Sequence, residues 1–293
     1  MMNSILSKRM AVKLSVNFFV SLGVISSVIQ IITSSYPDFI SNYKWKGWFI
    51  SVFVCLVFAF VRSWPKRSFS ENFSNPDVKI GIKIGNIFDQ SGHLVIGFSD
   101  TFDTEIGDVV SKDSMQGQFL ISMYENNQNK LDSDLDALLK NEESEEDNTK
   151  TRGKNKRYKI GTVVALSGLN RKFFCCAYSR MGSDLKATSD VNNLWSSLQN
   201  LWNKIRVEGE QKTIVMPVIG TNLARVPGIS FKLPINLILL SFIINSRVEP
   251  ISKELILIIR EEDKEKVNLL EIQDFLKSHK RCWLLLRHLK IFP

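Results

Sequence analysis

Cysteine and histidine are scarce in this chain, and their scarcity narrows what it can do. The 293 residues include four Cys, at Cys55, Cys175, Cys176 and Cys282, and three His, at His93, His279 and His288. Cys55 lies inside an apolar run and Cys175 and Cys176 are adjacent, which suits neither a disulfide framework nor a zinc site. Such usage is typical of a reducing compartment. The three His residues lack metal-ligand spacing and read as structural or exposed. A G-x-S-x-G elbow, a Ser-His-Asp order and a Walker A loop are all missing. No internal repeat is present. Charge of one sign is not in large excess: 38 Lys and Arg face 30 Asp and Glu, a net +8, and the excess is scattered. With 44% apolar and 23% charged residues, wholesale disorder and a polytopic transporter are excluded. The length suits one ordinary domain plus attachments.

What is present is unevenly distributed. Leu14 to Ile32 carries no charge over 19 positions, 12 of them apolar. That suits a membrane helix, which needs roughly 20 such residues. Trp48 to Val61 is a second run of 14 residues with one polar member, Ser51. Trp45, Trp48 and Trp64 flank it as an interfacial belt would. Lys46 and Arg62 extend its reach by snorkelling. The first run is too long for a signal peptide, and no A-x-A site follows it. The expected layout is two transmembrane helices in residues 1–64, at about 12–32 and 46–63. Three basic residues precede the first run, two lie between the runs and three follow the second. That bias places both termini on the cytoplasmic side of a cell (inner) membrane.

Residues 65–76 are rich in Ser, Asn and Lys and read as a linker. Residues 77–293 then form the expected domain. A charged stretch interrupts it at about 126–157. Eight acids lie between Asp132 and Asp147, and six bases between Lys150 and Lys159. Blocks of one sign are normally solvated, so 140–156 reads as a mobile insertion. Nucleic acid is not the expected partner, because the acidic block beside the bases would repel phosphates.

The rest alternates strand and helix signals. Val78, Ile80, Ile82 and Ile84 share one face of a strand. His93–Phe98, Tyr158–Leu166, Lys172–Tyr178, Thr213–Val218 and Leu255–Ile259 are further strands, and Cys282–Leu286 a last candidate. Helices are expected over Val191–Ile205, where apolar residues fall at steps of three and four, over Ile229–Asn245 and over Glu265–Ser278. Trp195 and Trp202 both fall on the apolar stripe of the first. Strands apolar on both faces suit a sheet covered on both sides. The expected fold class is therefore α/β, with a mixed β-sheet flanked by helices behind an N-terminal two-helix hairpin. In such folds ligands bind at the carboxyl ends of strands.

Three loops at such ends stand out. Gly85-Asn86-Ile87-Phe88-Asp89 follows the first strand, and Gly97 to Thr104 follows the second. Pro217 to Arg225 follows the strand at Val215 and leads through Pro227-Gly228 into a helix. The third is either a plain turn or a seat for a diphosphate at a helix N-terminus. The acids Asp100, Asp103, Glu105 and Asp108 are either loop and cap carboxylates or a metal or acid–base group.

The strings VKIGIKIGNIFDQ, HLVIGFSDTFDTEIGD, QGQF, CAYSRMG and MPVIGTNLARVPG, in this order, resemble the macro domain, an ADP-ribose-binding α/β fold. They are more specifically similar to the macro-domain branch of ThsA, the membrane effectors of type II Thoeris antiphage defence. The resemblance implies a ligand site at Asn86 and Ile87 beside adenine, at Ser99, Asp100, Thr101, Phe102 and Asp103 beside the distal ribose, and at Ile219, Gly220, Thr221, Asn222, Leu223, Ala224 and Arg225 around the diphosphate. It implies an ADP-ribose derivative as ligand, a histidine conjugate in this branch, made by a TIR-domain partner. Neither a metal nor a cofactor is implied. The implied outcome is clustering into a homo-oligomer, disruption of the lipid bilayer and abortive infection. Asn86 stands where ordinary macro domains carry an acid, and an Asn accepts from an adenine amino group without the charge. The Asn-rich loop of ADP-ribosyl hydrolases is replaced by Ser99 to Asp103, so a binding effector is expected rather than an enzyme. The alternatives are a membrane-tethered hydrolase or reader, with Asp100 or Asp103 as base, and a passive anchor that recruits partners through the 132–159 segment.

Overall fold

The computed structural model describes residues 2–35, 44–63, 67–220 and 231–288. The chain divides into two units, residues 1–66 and 67–293.

The first unit contains α1 (Met2–Ser35) and α2 (Lys44–Ser63), which pack on one another. Few of their described side chains are buried, among them Cys55 and Ala59. Val16, Phe19, Ile31, Phe53 and Phe58 face outward. Large apolar side chains left outside a helix pair are the mark of a surface that another apolar phase must cover. Leu14–Ser35 is long and apolar enough to cross a membrane, whereas Trp48–Arg62 is a shorter apolar stretch.

In the second unit, strand alternation builds two cores from one sheet. Its strands are β1 (Ser68–Ser74), β2 (Asp77–Ile84), β3 (His93–Ser99), β4 (Ser144–Glu146), β5 (Lys156–Tyr158), β6 (Val163–Gly168), β7 (Arg171–Met181), β8 (Ala187–Thr188), β9 (Ile214–Pro217) and β10 (Glu254–Ile259). The main sheet runs β1-β2-β10-β9-β3-β7-β6, with β8 on β7 and β4-β5 a separate hairpin. The middle five strands are parallel to their neighbours, and the edge strands β1 and β6 are antiparallel to theirs. The sheet is mixed, as expected. Leu255, Leu257 and Ile259 face one core while Ile256 and Ile258 face the other, because successive side chains of a strand point to opposite faces. Cys175 and Cys176 are divided in the same way, which keeps the two thiols apart.

The first core is covered by α5 (Val191–Glu208), α6 (Lys232–Val248) and α7 (Leu269–His288), the second by α3 (Met115–Tyr124) and α4 (Gln128–Leu139). Asp190 caps α5 by accepting from the Asn193 N–H at 2.8 Å. Leu194, Leu198, Leu201, Trp202 and Ile205 then form its buried stripe. Trp202 donates to Ser241 Oγ at 2.9 Å, which joins α5 to α6, whereas Trp195 is only half-buried. Pro234 sits in the first turn of α6, where its missing N–H costs nothing.

Several sequence expectations are corrected. Residues 68–74 of the supposed linker form β1, paired along its length with β2. The stretch 128–139 is the helix α4, not part of a loop, and its Leu131, Leu135 and Leu139 are buried one turn apart. The 140–156 stretch is not a solvated mobile insertion throughout, because its exposed β4 is paired with β5 and the side chain of Lys150 is fully buried. Cys282–Leu286 continues α7 and is not a strand. The helix expected over Glu265–Ser278 begins later, as α7 from Leu269, after a 3-10 turn over Glu261–Lys266.

Candidate functional site

A cleft of about 270 Å³ opens at the carboxyl ends of the parallel strands. Ser99 ends β3, Tyr178 to Met181 end β7, Pro217 to Gly220 continue β9, and Ile259 and Arg260 close β10 around it. Gly107 to Ser111, Ser114 to Gln116 at the start of α3, and Leu185 to Ala187 form one wall. Phe231 and Asp263 also line it. Strands point their carboxyl ends at one edge only because the central five are parallel, so topology gathers these loops.

The floor depends on a glycine. A Cβ on Gly97 would lie 2.5 Å from Tyr178 Cε1 and 3.2 Å from Ile219 Cγ2, so only Gly lets the Tyr178 ring cross β3. Burial pushes the Tyr178 hydroxyl up to about 12, against the opposing pull of the Gly220 N–H. Gly220 has φ +86°, a left-handed turn at the end of β9 that L side chains disfavour.

The structure sorts the expected site residues into three groups. Ser99, Ile219 and Gly220 line the cleft. Thr221, Asn222, Leu223, Ala224 and Arg225, with the Pro227-Gly228 turn, lie outside the described residues. The remaining six are placed elsewhere. Asn86 is exposed and closes its own turn, accepting from the Phe88 N–H at 3.1 Å. Its loop abuts the cleft rim through a 2.9 Å bond from the Gly85 N–H to the Ile259 carbonyl. Ile87 is buried in the second core.

Asp100, Thr101, Phe102 and Asp103, expected beside the distal ribose, are buried and do not line the cleft. Phe102 is fully buried, stacked on Phe98 and edge-on to Tyr158. Asp103 accepts from Lys150 Nζ at 2.7 Å, from the Lys154 N–H at 2.6 Å and from the Thr101 hydroxyl. Asp103 and Lys150 are both fully buried at the side chain. Two charges withdrawn from water hold each other, and removing one alone costs about 3–5 kcal/mol. Gly153 is required beside them, because a Cβ there would lie 2.3 Å from Asp103 Oδ1. Asp100 accepts from the Met181 N–H at 2.8 Å and from Arg157. Burial raises Asp100, while Met181 and Arg157 oppose that rise. Burial also lowers Arg157, but its bonds to Asp147 and Asp100 outweigh it and the net direction is upward. The acid run is thus a set of ion-pair anchors.

Sequence reasoning missed Tyr178, Lys150, Arg157 and Arg260, and it named Gly97 only as the start of a loop. Tyr178 lay within a quoted string, but nothing local marked it as a floor. Lys150 and Arg157 lay in the basic block, and their acid partners stand about fifty residues earlier. His93, at the opposite end of β3 from the cleft, accepts from the Lys172 N–H and is lowered by burial, a structural role.

This arrangement, a mixed sheet between helices with a cleft at the carboxyl ends of its parallel strands, is the macro-domain fold. The macrodomain of Oceanobacillus iheyensis with ADP superposes with a TM-score of 0.50 at 13% identity, over 72% of this chain and 97% of that one. A single-substitution mutant of the same macrodomain gives 0.50 and 13%, over 73% and 100%. Within that class, residues 80–260 match the family described as Thoeris protein ThsA, Macro domain. The chain belongs to the ThsA macro-domain family. It is also 24% identical to Thoeris protein ThsA of Bacillus amyloliquefaciens (strain Y2), over 77% of this chain and 76% of that protein.

Proposed function

We propose that this chain is a membrane-attached effector of Thoeris antiphage defence, switched by a nucleotide signal in its macro domain. The signal is an ADP-ribose derivative of the histidine-conjugate type, produced by a TIR-domain partner. Binding drives the chains to assemble, and the assembled α1–α2 units span and disrupt the inner membrane, ending in abortive infection. The observation that carries this reading is the cleft at the carboxyl ends of β3, β9 and β10, in a chain of the ThsA macro-domain family whose other unit leaves its apolar helices outward. Binding rather than hydrolysis is favoured by the condition of the two candidate bases, since Asp100 and Asp103 are both buried in ion pairs. A general base needs reach to its substrate proton.

The test is calorimetry on the full chain in detergent micelles with ADP-ribose, its histidine conjugate and NAD, followed by chromatographic assay for turnover. Selective binding of the conjugate without new product, and larger particles on binding, are expected. Failure to bind any ADP-ribose compound would sink the proposal. Steady release of free ADP-ribose would replace it with the hydrolase reading.

A further inference from the structure

The acid run after β3 and the basic run that leads into β5 complement one another in space. Arg157 pairs with Asp100, Lys150 with Asp103, and Arg152 with both Glu105 and Asp108. Four acids that looked like a metal or catalytic group are each matched by a base from a segment that looked solvated. The Lys150 Nζ also donates to the Lys154 carbonyl at 2.9 Å, and Lys154 reaches Asp132 on α4 at 2.7 Å. Residues 147–157 therefore form a strap tied at one side to α4 and at the other to the 100–108 loop.

That loop is a cleft wall. Asp108, Val109 and Val110 line the cleft, and Val109 and Val110 pack with Met181, Leu185 and Ala187. Arg157 holds both halves of this wall together. It pairs with Asp100, which accepts from the Met181 N–H, and donates to the Met181 carbonyl at 2.9 Å. Ser99, on the cleft, is joined to the buried pair through Thr101 at 3.2 Å. A planar guanidinium bridging a carboxylate and a carbonyl fixes direction as well as distance, which an ammonium does not.

We infer that the 147–157 strap is the positioning element of the cleft wall, with Lys150 and Arg157 as the positioning residues through which ligand affinity is set. The affinity half of this rests on the binding function proposed above, and the positioning half does not. Lys150–Asp103 and Arg157–Asp100 are withdrawn from solvent, so salt screens them little. Lys212–Glu210, just before β9 and outside the cleft lining, is exposed and contributes little, which makes Lys212 an internal control.

The experiment compares the full chain in detergent micelles with Arg157→Lys, with the double variant Lys150→Met/Asp103→Leu, and with Lys212→Ala. The double variant removes both buried charges and so leaves neither orphaned. Hydrogen exchange without ligand should rise on the order of tenfold in peptides covering 99–111 and 181–187 of the first two variants, with β9 and α5 unchanged. Lys212→Ala should exchange as the parent does. ADP-ribose affinity should fall on the order of tenfold in the first two variants while their melting stays cooperative. Parent-like exchange in the cleft wall of Arg157→Lys, or loosening spread evenly over α5 and β9, would overturn positioning. A loosened wall with parent-like affinity would overturn the claim on affinity. If the parent itself binds no ADP-ribose, the binding function fails and the exchange data alone decide the strap. Should the double variant not fold, Arg157→Lys carries the test.

Discussion

Gly97 and Tyr178 show how one absent methyl shapes the cleft. The ring lies where a Cβ would stand, so Gly97→Ala must displace Tyr178 or Ile219. A destabilisation of about 1–3 kcal/mol is expected, typical of overpacking, read as a lower urea midpoint with weaker ADP-ribose binding. Asp147 illustrates the electrostatics. Its bond to Arg157, and then those to Thr149, hold its carboxyl well below the usual range. A carboxyl depressed on folding contributes stability above its unfolded value of about 3.9, and that contribution is lost as pH falls below it. Melting temperature should therefore drop as pH is lowered from about 5 to about 2. Asp147→Asn should melt lower than the parent at neutral pH and show a shallower acid slope. Equal slopes would show that Asp147 carries none of the linkage. The roles of Gly97 and Asp103 were not legible locally, because Tyr178 and Lys150 stand about fifty to eighty residues away, whereas Asp147 finds its partners Thr149 and Arg157 close by in the chain.

At the scale of elements, periodicity read well where a helix or strand has one clear face. The α5 stripe, β2, β3, β7, β9 and β10 were visible because burial on a sheet enforces their spacing. Trp202 anchors α5 between the sheet and α6, edge-on to Phe242. Trp202→Ala should cost about 3–5 kcal/mol in denaturant unfolding. Asp190→Ala should cost about 1 kcal/mol, through loss of the N-cap alone. Helix α4 escaped notice since its stripe is only Leu131, Leu135 and Leu139 amid acids. Edge strand β1 escaped because its outer positions are polar and its pairing partner, not its composition, makes it a strand. In α7 the apolar residues after Cys282 imitate a strand, but they extend a helix already in progress.

At the scale of the molecule, the two units differ in what covers their apolar surface. The macro unit buries it internally in two cores, and the α1–α2 unit leaves it outward. The full chain is expected to sediment with membranes and to resist carbonate extraction, whereas residues 67–293 alone should stay in the supernatant with cooperative melting. Carbonate release of the full chain would refute the membrane attachment. A sediment of 67–293 would show that its surface needs the first unit. The candidate site was legible to the extent that its loops were: the ends of β3 and β9 were marked by Ser99, Ile219 and Gly220, while the wall and floor were not.

The sequence by itself determined the division into an apolar pair of helices and an α/β unit, the two-sided burial of the strands and the family. These follow from local periodicity, run length and motif order, which survive without coordinates. The tertiary structure alone decided what the charged residues do. Asp100 and Asp103 read as loop carboxylates, with ligand contacts or catalysis as the alternatives, until the fold brought Arg157 and Lys150 against them. A charge in water and a charge in a buried pair have the same place in a sequence. Only the distance between partners far apart in the chain, and the exclusion of solvent around them, tells the two apart.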